Sequence, residues 1–310
     1  MIQQVFLSTL RSLVLITLAF LVNLPAVAAN TLDDSPRVAV ISAFGAELDL
    51  LLGQLTQEQK HSVNGVTFTT GKLQGKQVVL FLSGVSMTNA AMNTQLALDR
   101  FHVTHIVVSG IAGGVNPALQ IGDVTVAQQW GQYLEVLMAR QTQPNRYAVP
   151  PWMDDVKLTN FGMMHPRPVV VRSAASSTPE AKFWFHADPK LLQIARSIED
   201  TALSKCDLAH QCLGHQPRVV VGGNGVSGSA FVDNAAFREY AFRTFNANVL
   251  DMETAAVAHV AHSNGVGFIA FRSLSDLAGG GSEPNEVGVF MKTAADNAAR
   301  VLMAFLAAWK

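Results

Sequence analysis

The sequence predicts an α/β fold with a largely parallel sheet. Three observations carry that reading. Short, apolar, β-branched runs recur along the chain, as they do in strands buried on both faces. Stretches with apolar residues at helical spacing alternate with them, the pattern of strand–helix–strand units. The 310 residues contain no repeat, low-complexity tract or composition break that would force a second domain.

The elements follow in order. Residues 37–42 read as a first buried strand, and residues 47–55 as a helix with Leu48, Leu51, Leu52 and Leu55 on one face. Strands are expected at 66–70 and 77–82, with Gly71 and Gly75 as punctuation, then a helix at 89–100. Residues 105–109 form the next strand, followed by a glycine-rich turn at 110–114 and a strand at 121–126. From Trp130 to about His186, Pro144, Pro150, Pro151, Pro166, Pro168 and Pro179 break the pattern, which predicts a long excursion rather than packed elements. A helix at 191–202, strands at 218–221, 248–251 and 268–271, and helices starting near Asn234, Glu253 and Pro284 complete the chain.

Composition excludes several function classes. A net charge of -1, with 22 basic against 23 acidic side chains, gives no footprint for nucleic acid or an anionic membrane surface. At 49% hydrophobic and 15% charged, the chain is too apolar for intrinsic disorder. Two cysteines cannot build a four-thiolate zinc site, and nine scattered histidines make no metal constellation.

The first 29 residues read as a leader rather than as part of the fold. Arg11 precedes an apolar run from Leu13 to Val22, and Ala26-Val-Ala-Ala29 has the small residues of a cleavage site. The run is shorter than the ~20 residues a spanning helix needs, so no stable membrane span is expected after cleavage. The expectation is export, to a periplasm or beyond the cell, with a mature domain over 30–310. In such a compartment Cys206 and Cys212, six positions apart, favour a small-loop disulfide over two free thiols.

In open α/β sheets, ligands bind at the carboxyl ends of strands. Four predicted strand ends carry unusual residues: Glu47 after the first, Gly110 and Ile111 after the central one, Asp251-Met-Glu253 after another, and Arg272-Ser-Leu-Ser-Asp276 after the last. Read singly, each has an ordinary alternative. Glu47, Glu253 and Asp276 fit helix N-terminal acids, Met252 and Phe231 fit core, and residues 110–114 fit a tight turn. That turn lacks the Gly-Lys-Ser/Thr ending of a P-loop and the third glycine of a dinucleotide site, so no cofactor is expected.

Together, four stretches resemble the nucleoside phosphorylase/nucleosidase superfamily, and in particular the methylthioadenosine/S-adenosylhomocysteine nucleosidases. They are Ile111-Ala-Gly-Gly-Val-Asn-Pro-Ala-Leu-Gln-Ile-Gly-Asp123, Val226-Ser-Gly-Ser-Ala-Phe-Val232, Asp251-Met-Glu-Thr-Ala-Ala-Val257 and Phe271-Arg-Ser-Leu-Ser-Asp276. The region from Cys206 to Asn234, with Leu277-Ala-Gly-Gly-Gly281, also resembles plant bark and vegetative storage proteins on the same fold. The resemblance implies a three-layer sandwich with a central mixed sheet, and a homo-oligomer, a dimer or trimer. Asp276 would protonate the purine, with Ser275 orienting it and Arg272 organising its loop. Glu253 would grip the ribose, with Met252 on the sugar face. Phe231 would stack on the base, the Val232 backbone would read its edge, and Glu47 would activate the attacking water. Ile111 stands where the family has serine, and the stretch 107–111 has no arginine for phosphate, which favours water over phosphorolysis. The implied substrate is an adenine-type nucleoside. The competing readings are a phosphorylase of the same fold and a non-catalytic storage or nucleoside-binding protein.

Overall fold

The computed structural model describes residues 31–153, 158–207, 209–281 and 284–310. The leader reading at 1–29 lies outside them. Twelve strands form the main sheet: β1 (Asp33–Ser42), β2 (Thr56–Val63), β3 (Val66–Leu73), β4 (Lys76–Leu82), β5 (Phe101–Gly114), β6 (Val124–Val126), β7 (Gln129–Gln132), β8 (Trp184–His186), β9 (Val219–Val221), β10 (Asn224–Ser227), β11 (Ala247–Asp251) and β12 (Gly267–Asp276). The helices are α1 (Gly45–Gly53), α2 (Met87–Arg100), α3 (Pro189–Arg196), α4 (Ala235–Phe245), α5 (Thr254–Asn264) and α6 (Val287–Ala308).

The sheet is mixed. Its main path runs β8-β7-β10-β11-β5-β1-β4-β3-β2, while β12 pairs with both β5 and β6, and β9 with β6. Strand β1 is parallel to β4 and β5, and β12 is parallel to β5, so the centre is parallel as the sequence predicts. Antiparallel pairings join β11 to β5, β12 to β6 and β8 to β7. In β5, Ile106, Val107 and Val108 are all buried. Successive strand side chains point to opposite faces, so unbroken burial means that both faces are covered. Helices α1 and α6 pack together against β5, and α2 packs with α5, giving the layers that flank the sheet. Residues Leu32–Lys310 make one compact unit.

The structure differs from the expectations at four points. The glycine stretch 110–114 is not a turn: β5 continues through it, pairing with β12 as far as Gly113 and with β11 at Gly113 and Gly114. Residues 56–63, unassigned in the sequence reading, form β2, a polar strand at the end of the sheet's path, with exposed side chains along most of its length. The excursion is not free of packed elements. It supplies β7 and β8 to the main sheet and three small antiparallel pairs, Val136–Met138 with Met164–Pro166, Arg140–Gln143 with Arg146–Ala148, and Val169–Ser173 with Ser176–Lys182. Helix α3 also ends at Arg196, short of the expected 202.

Cys206 and Cys212 are disulfide-bonded. The loop they close is anchored from the core by Asn297 of α6. Its side chain accepts the Ser204 N–H at 2.8 Å and donates to the Ser204 carbonyl at 3.0 Å. No described helix is long and apolar enough to cross a membrane.

Candidate active site

Strand β1 ends at Ser42, and α1 starts three residues later, which puts Glu47 in the first turn of that helix. The carboxylate turns back onto the strand ends. It accepts the Ala43 N–H on Oε2 and the Ile111 N–H on Oε1, both at 2.7 Å. Strand β11 ends at Asp251, and Glu253 sits at the N-cap of α5. Asp251 faces inward, accepting the hydroxyls of Ser227 and Thr254 and the backbone N–H groups of Glu253 and Thr254. Glu253 accepts the Ser86 N–H at 2.9 Å. At the end of β12, the Ser275 hydroxyl and the Ala278 N–H each donate to Asp276 at 2.8 Å, and Asn285 adds a longer bond at 3.4 Å.

These strand ends surround one cavity of about 280 Å³. Glu47, Ile111, Glu253 and Asp276 line it, together with Asp251, Met252 and Ser275. Phe231 and Val232 come in from the loop after β10, with Phe231 59% exposed at the cavity. The rest of the wall is mainly apolar, including Phe44, Val85, Val287 and Met291. Among the described lining residues there is no lysine or arginine.

Behind the cavity lies Arg272, 1% exposed. Its Nε is 2.8 Å from Asp251, its Nη2 is 3.3 Å from Glu253 and its Nη1 is 3.6 Å from Glu47. One guanidinium therefore serves three buried carboxylates, and full ionisation leaves a surplus of negative charge. Burial pushes the Glu47 carboxyl above its ordinary range against the pull of Arg272 and its N–H donors. Glu253 is lifted to about 7, first by burial and then by Asp251 and Glu47, with Arg272 opposing. Asp276 is also raised by burial, although the Ala278, Ser275 and Asn285 hydrogen bonds all favour its ionised form.

The family follows from the chain as a whole. Residues 37–307 match the family model described as the Phosphorylase superfamily. The chain belongs to the phosphorylase superfamily. It is 30% identical over 248 residues to the 5'-methylthioadenosine/S-adenosylhomocysteine nucleosidase of Bacillus cytotoxicus, covering 78% of this chain and 87% of that one. It is 29% identical over 271 residues to the enzyme of the same name from Halalkalibacterium halodurans, covering 87% and 97%. Among solved structures, the Streptococcus pneumoniae nucleosidase with a transition-state inhibitor superposes with a TM-score of 0.66 at 23% identity, over 88% of this chain and all of the other. That likeness shows the fold.

Two site expectations for this phosphorylase-superfamily chain change. Gly110 does not line the cavity but lies beneath it in β5. A Cβ there would collide with Arg272 Nη1 and Glu47 Oε1, so glycine is required for the ion cluster to sit against the strand. The bonds of Arg272 run to the three carboxylates, to Thr254 and to the Ile111 carbonyl, rather than to the loop after Asp276. It is a charge clamp behind the Glu47, Asp251 and Glu253 side of the cavity. The sequence reading missed Ser86 and Asn285, which act on Glu253 and Asp276 through a backbone N–H and a loop amide. Neither leaves a periodicity or motif signal.

The raised Glu253 gives a pH-dependent expectation. In the unfolded chain its carboxyl ionises near the ordinary value of 4.5, and in the fold near 7. Below both values it is neutral in either state. As pH rises from one to the other, ionisation favours the unfolded chain, and the full cost is present above about 7. Glu253→Gln removes that cost. Its stability relative to the native protein should therefore improve by roughly 2 kcal/mol between pH 5 and pH 8. Urea denaturation at the two pH values reads the difference, and an equal offset at both would contradict the argument.

Proposed function

We propose that the protein is a purine nucleosidase that hydrolyses the N-glycosidic bond of adenine-type nucleosides, such as methylthioadenosine, S-adenosylhomocysteine or adenosine. The observation that carries this reading is the opening of Glu47, Glu253 and Asp276, far apart in sequence, onto one cavity. The nucleosidase relatives support the same class of reaction.

The chemistry is a division of labour. As the C1′–N9 bond breaks, its electron pair moves to the purine and positive charge builds on the ribose. Protonated Asp276 gives its proton to the base, and burial shifts its carboxyl upward, the direction that favours the acid form. Glu253, holding the ribose hydroxyls, stabilises the developing cation. Water adds to C1′ while Glu47 takes its proton, so the products are free base and the free sugar, which is ribose from adenosine and the 5′-substituted ribose from the thioether substrates. Phosphate as nucleophile would need cationic donors on the cavity wall. The described wall has none, and Arg272 is committed to its carboxylates.

Export belongs to the same proposal, on the leader-like first 29 residues and on a disulfide of the kind that persists in oxidising compartments. A homo-oligomer, dimer or trimer, is carried by family resemblance, and sedimentation reads it. The deciding experiment incubates purified protein with adenosine and methylthioadenosine, with and without phosphate. Free base with ribose from adenosine, or with methylthioribose from methylthioadenosine, independent of phosphate, supports the proposal. Ribose-1-phosphate would identify a phosphorylase, and no base release from either would defeat the enzymatic reading.

A further inference from the structure

Ser86 has the wrong backbone for a serine. Its φ of 86° and ψ of 156° lie in a region that glycine tolerates and other residues avoid. Such conformations persist where the surroundings hold them, and they cluster at ligand clamps. Besides the Ala90 N–H, which the Ser86 carbonyl accepts at 3.0 Å, two bonds reach across the site to hold this one. The Ser86 N–H donates to Glu253 Oε1 at 2.9 Å, and the Ser86 hydroxyl donates to the Ser229 hydroxyl at 2.8 Å.

Each bond links a different pair of elements. Ser86 follows β4 and precedes α2, beside the cavity residue Val85. Ser229 follows β10, on the loop that carries Phe231 and Val232 into the cavity. The hydroxyl pair therefore ties the loop that touches the ribose carboxylate to the loop that covers the base. The carboxylate itself is held from two sides. Arg272 takes Oε2 and the Ser86 N–H takes Oε1, so its plane is set by both. Without the second bond it can pivot about the guanidinium.

We propose that Ser86 and Ser229 are positioning residues, a clasp across the cavity that fixes the Ser86 N–H on Glu253 and so presents that carboxylate to the two ribose hydroxyls. The inference rests on the reading of Glu253 given under Proposed function. The charged groups facing Glu253 are Arg272 from β12, Asp251 from β11 and Glu47 from α1, and the clasp adds a neutral donor to them. A hydrogen bond to the ionised carboxyl favours ionisation, so releasing the clasp moves Glu253 toward higher pKa.

The test uses Ser229→Ala and Ser86→Gly in the full chain, with adenosine and 2′,3′-dideoxyadenosine as substrates. For adenosine, kcat/KM is expected to fall about 3- to 10-fold in both variants, mainly through KM. For the dideoxy substrate, which has no hydroxyls for Glu253 to hold, the variants should match the native protein. Ser86→Gly should also raise the thermal midpoint, because glycine relieves the backbone, giving higher stability with lower activity. Ser229→Thr, which keeps the hydroxyl, should restore the adenosine rate. A direct readout is the Glu253 carboxyl titration by carbon-13 NMR, expected to move upward in Ser229→Ala and Ser86→Gly. Equal losses on both substrates, or an unmoved titration, would overturn the clasp. If the native protein releases no base at all, the hydrolase reading fails, and the titration still decides the clasp independently.

Discussion

Asp276→Asn is expected to lower kcat by about 10²- to 10⁴-fold, the range that positioned proton transfer supplies, with KM little changed. The substitution keeps the shape of the side chain and an oxygen for the Ala278 N–H, so the loop after β12 should hold its form. What disappears is the proton. Leaving as an anion, an unprotonated purine carries its charge into an apolar cavity, and the barrier rises accordingly. Because only the transition state is affected, kcat and kcat/KM should fall together.

The pH profile gives the sign. Burial raises the Asp276 carboxyl, and the proposed general acid is its protonated form, so native activity is expected to decline as pH rises through that raised value. The asparagine variant should lack this decline. A riboside whose leaving group needs no proton, such as a nitrophenyl riboside, should keep most of its rate in the variant. Steady-state assays of base release over pH 5–9 check all three outcomes. Full turnover of adenosine by Asp276→Asn would remove Asp276 from the chemistry.

How far the sequence shows this site depends on what kind of signal each part leaves. The centre of the sheet is legible because β1, β5 and β12 contain unbroken apolar runs, the mark of burial on both faces. Strand β2 is not, because Thr56-Gln-Glu-Gln-Lys-His-Ser-Val63 is polar and mostly exposed, so it carries no apolar run to mark it as a strand. The glycines at 110–114 read as a turn because glycine is the default turn residue, yet here they admit neighbouring side chains to a continuing strand. Strand ends locate Glu47, Glu253 and Asp276, since ligand sites in such sheets lie there. The role of Arg272 is not legible, because nothing along the chain says that its three partners come from the starts of two helices and the end of a strand. Ser86 leaves even less, since its contact to Glu253 is a main-chain N–H, the same for every residue but proline.

Arg272→Met is expected to destabilise the fold by about 3–5 kcal/mol, because removing one member of a buried ion cluster leaves the others uncompensated. Methionine fills much of the same volume, so the loss is chiefly electrostatic rather than a cavity. The clamp now holds Glu47, Asp251 and Glu253 within one 1%-exposed guanidinium's reach. Without it, Glu47 and Glu253 gain further preference for the protonated state, beyond the upward shift that burial already imposes. Raised carboxyls cost stability as pH climbs from their unfolded values toward their folded ones, so the deficit should be smaller at pH 5 than at pH 8. Removing one negative charge should recover part of it: at pH 8 Glu253→Gln is expected to stabilise the Arg272→Met protein by more than it stabilises the native one, a departure from additivity that neighbours in one cluster should show. Activity at neutral pH should fall as well, since a protonated Glu47 cannot take a proton from water. Denaturant titrations of the four proteins at pH 5 and pH 8 measure the cycle, and a pH-independent deficit would mean that Arg272 supports the fold by packing rather than by charge.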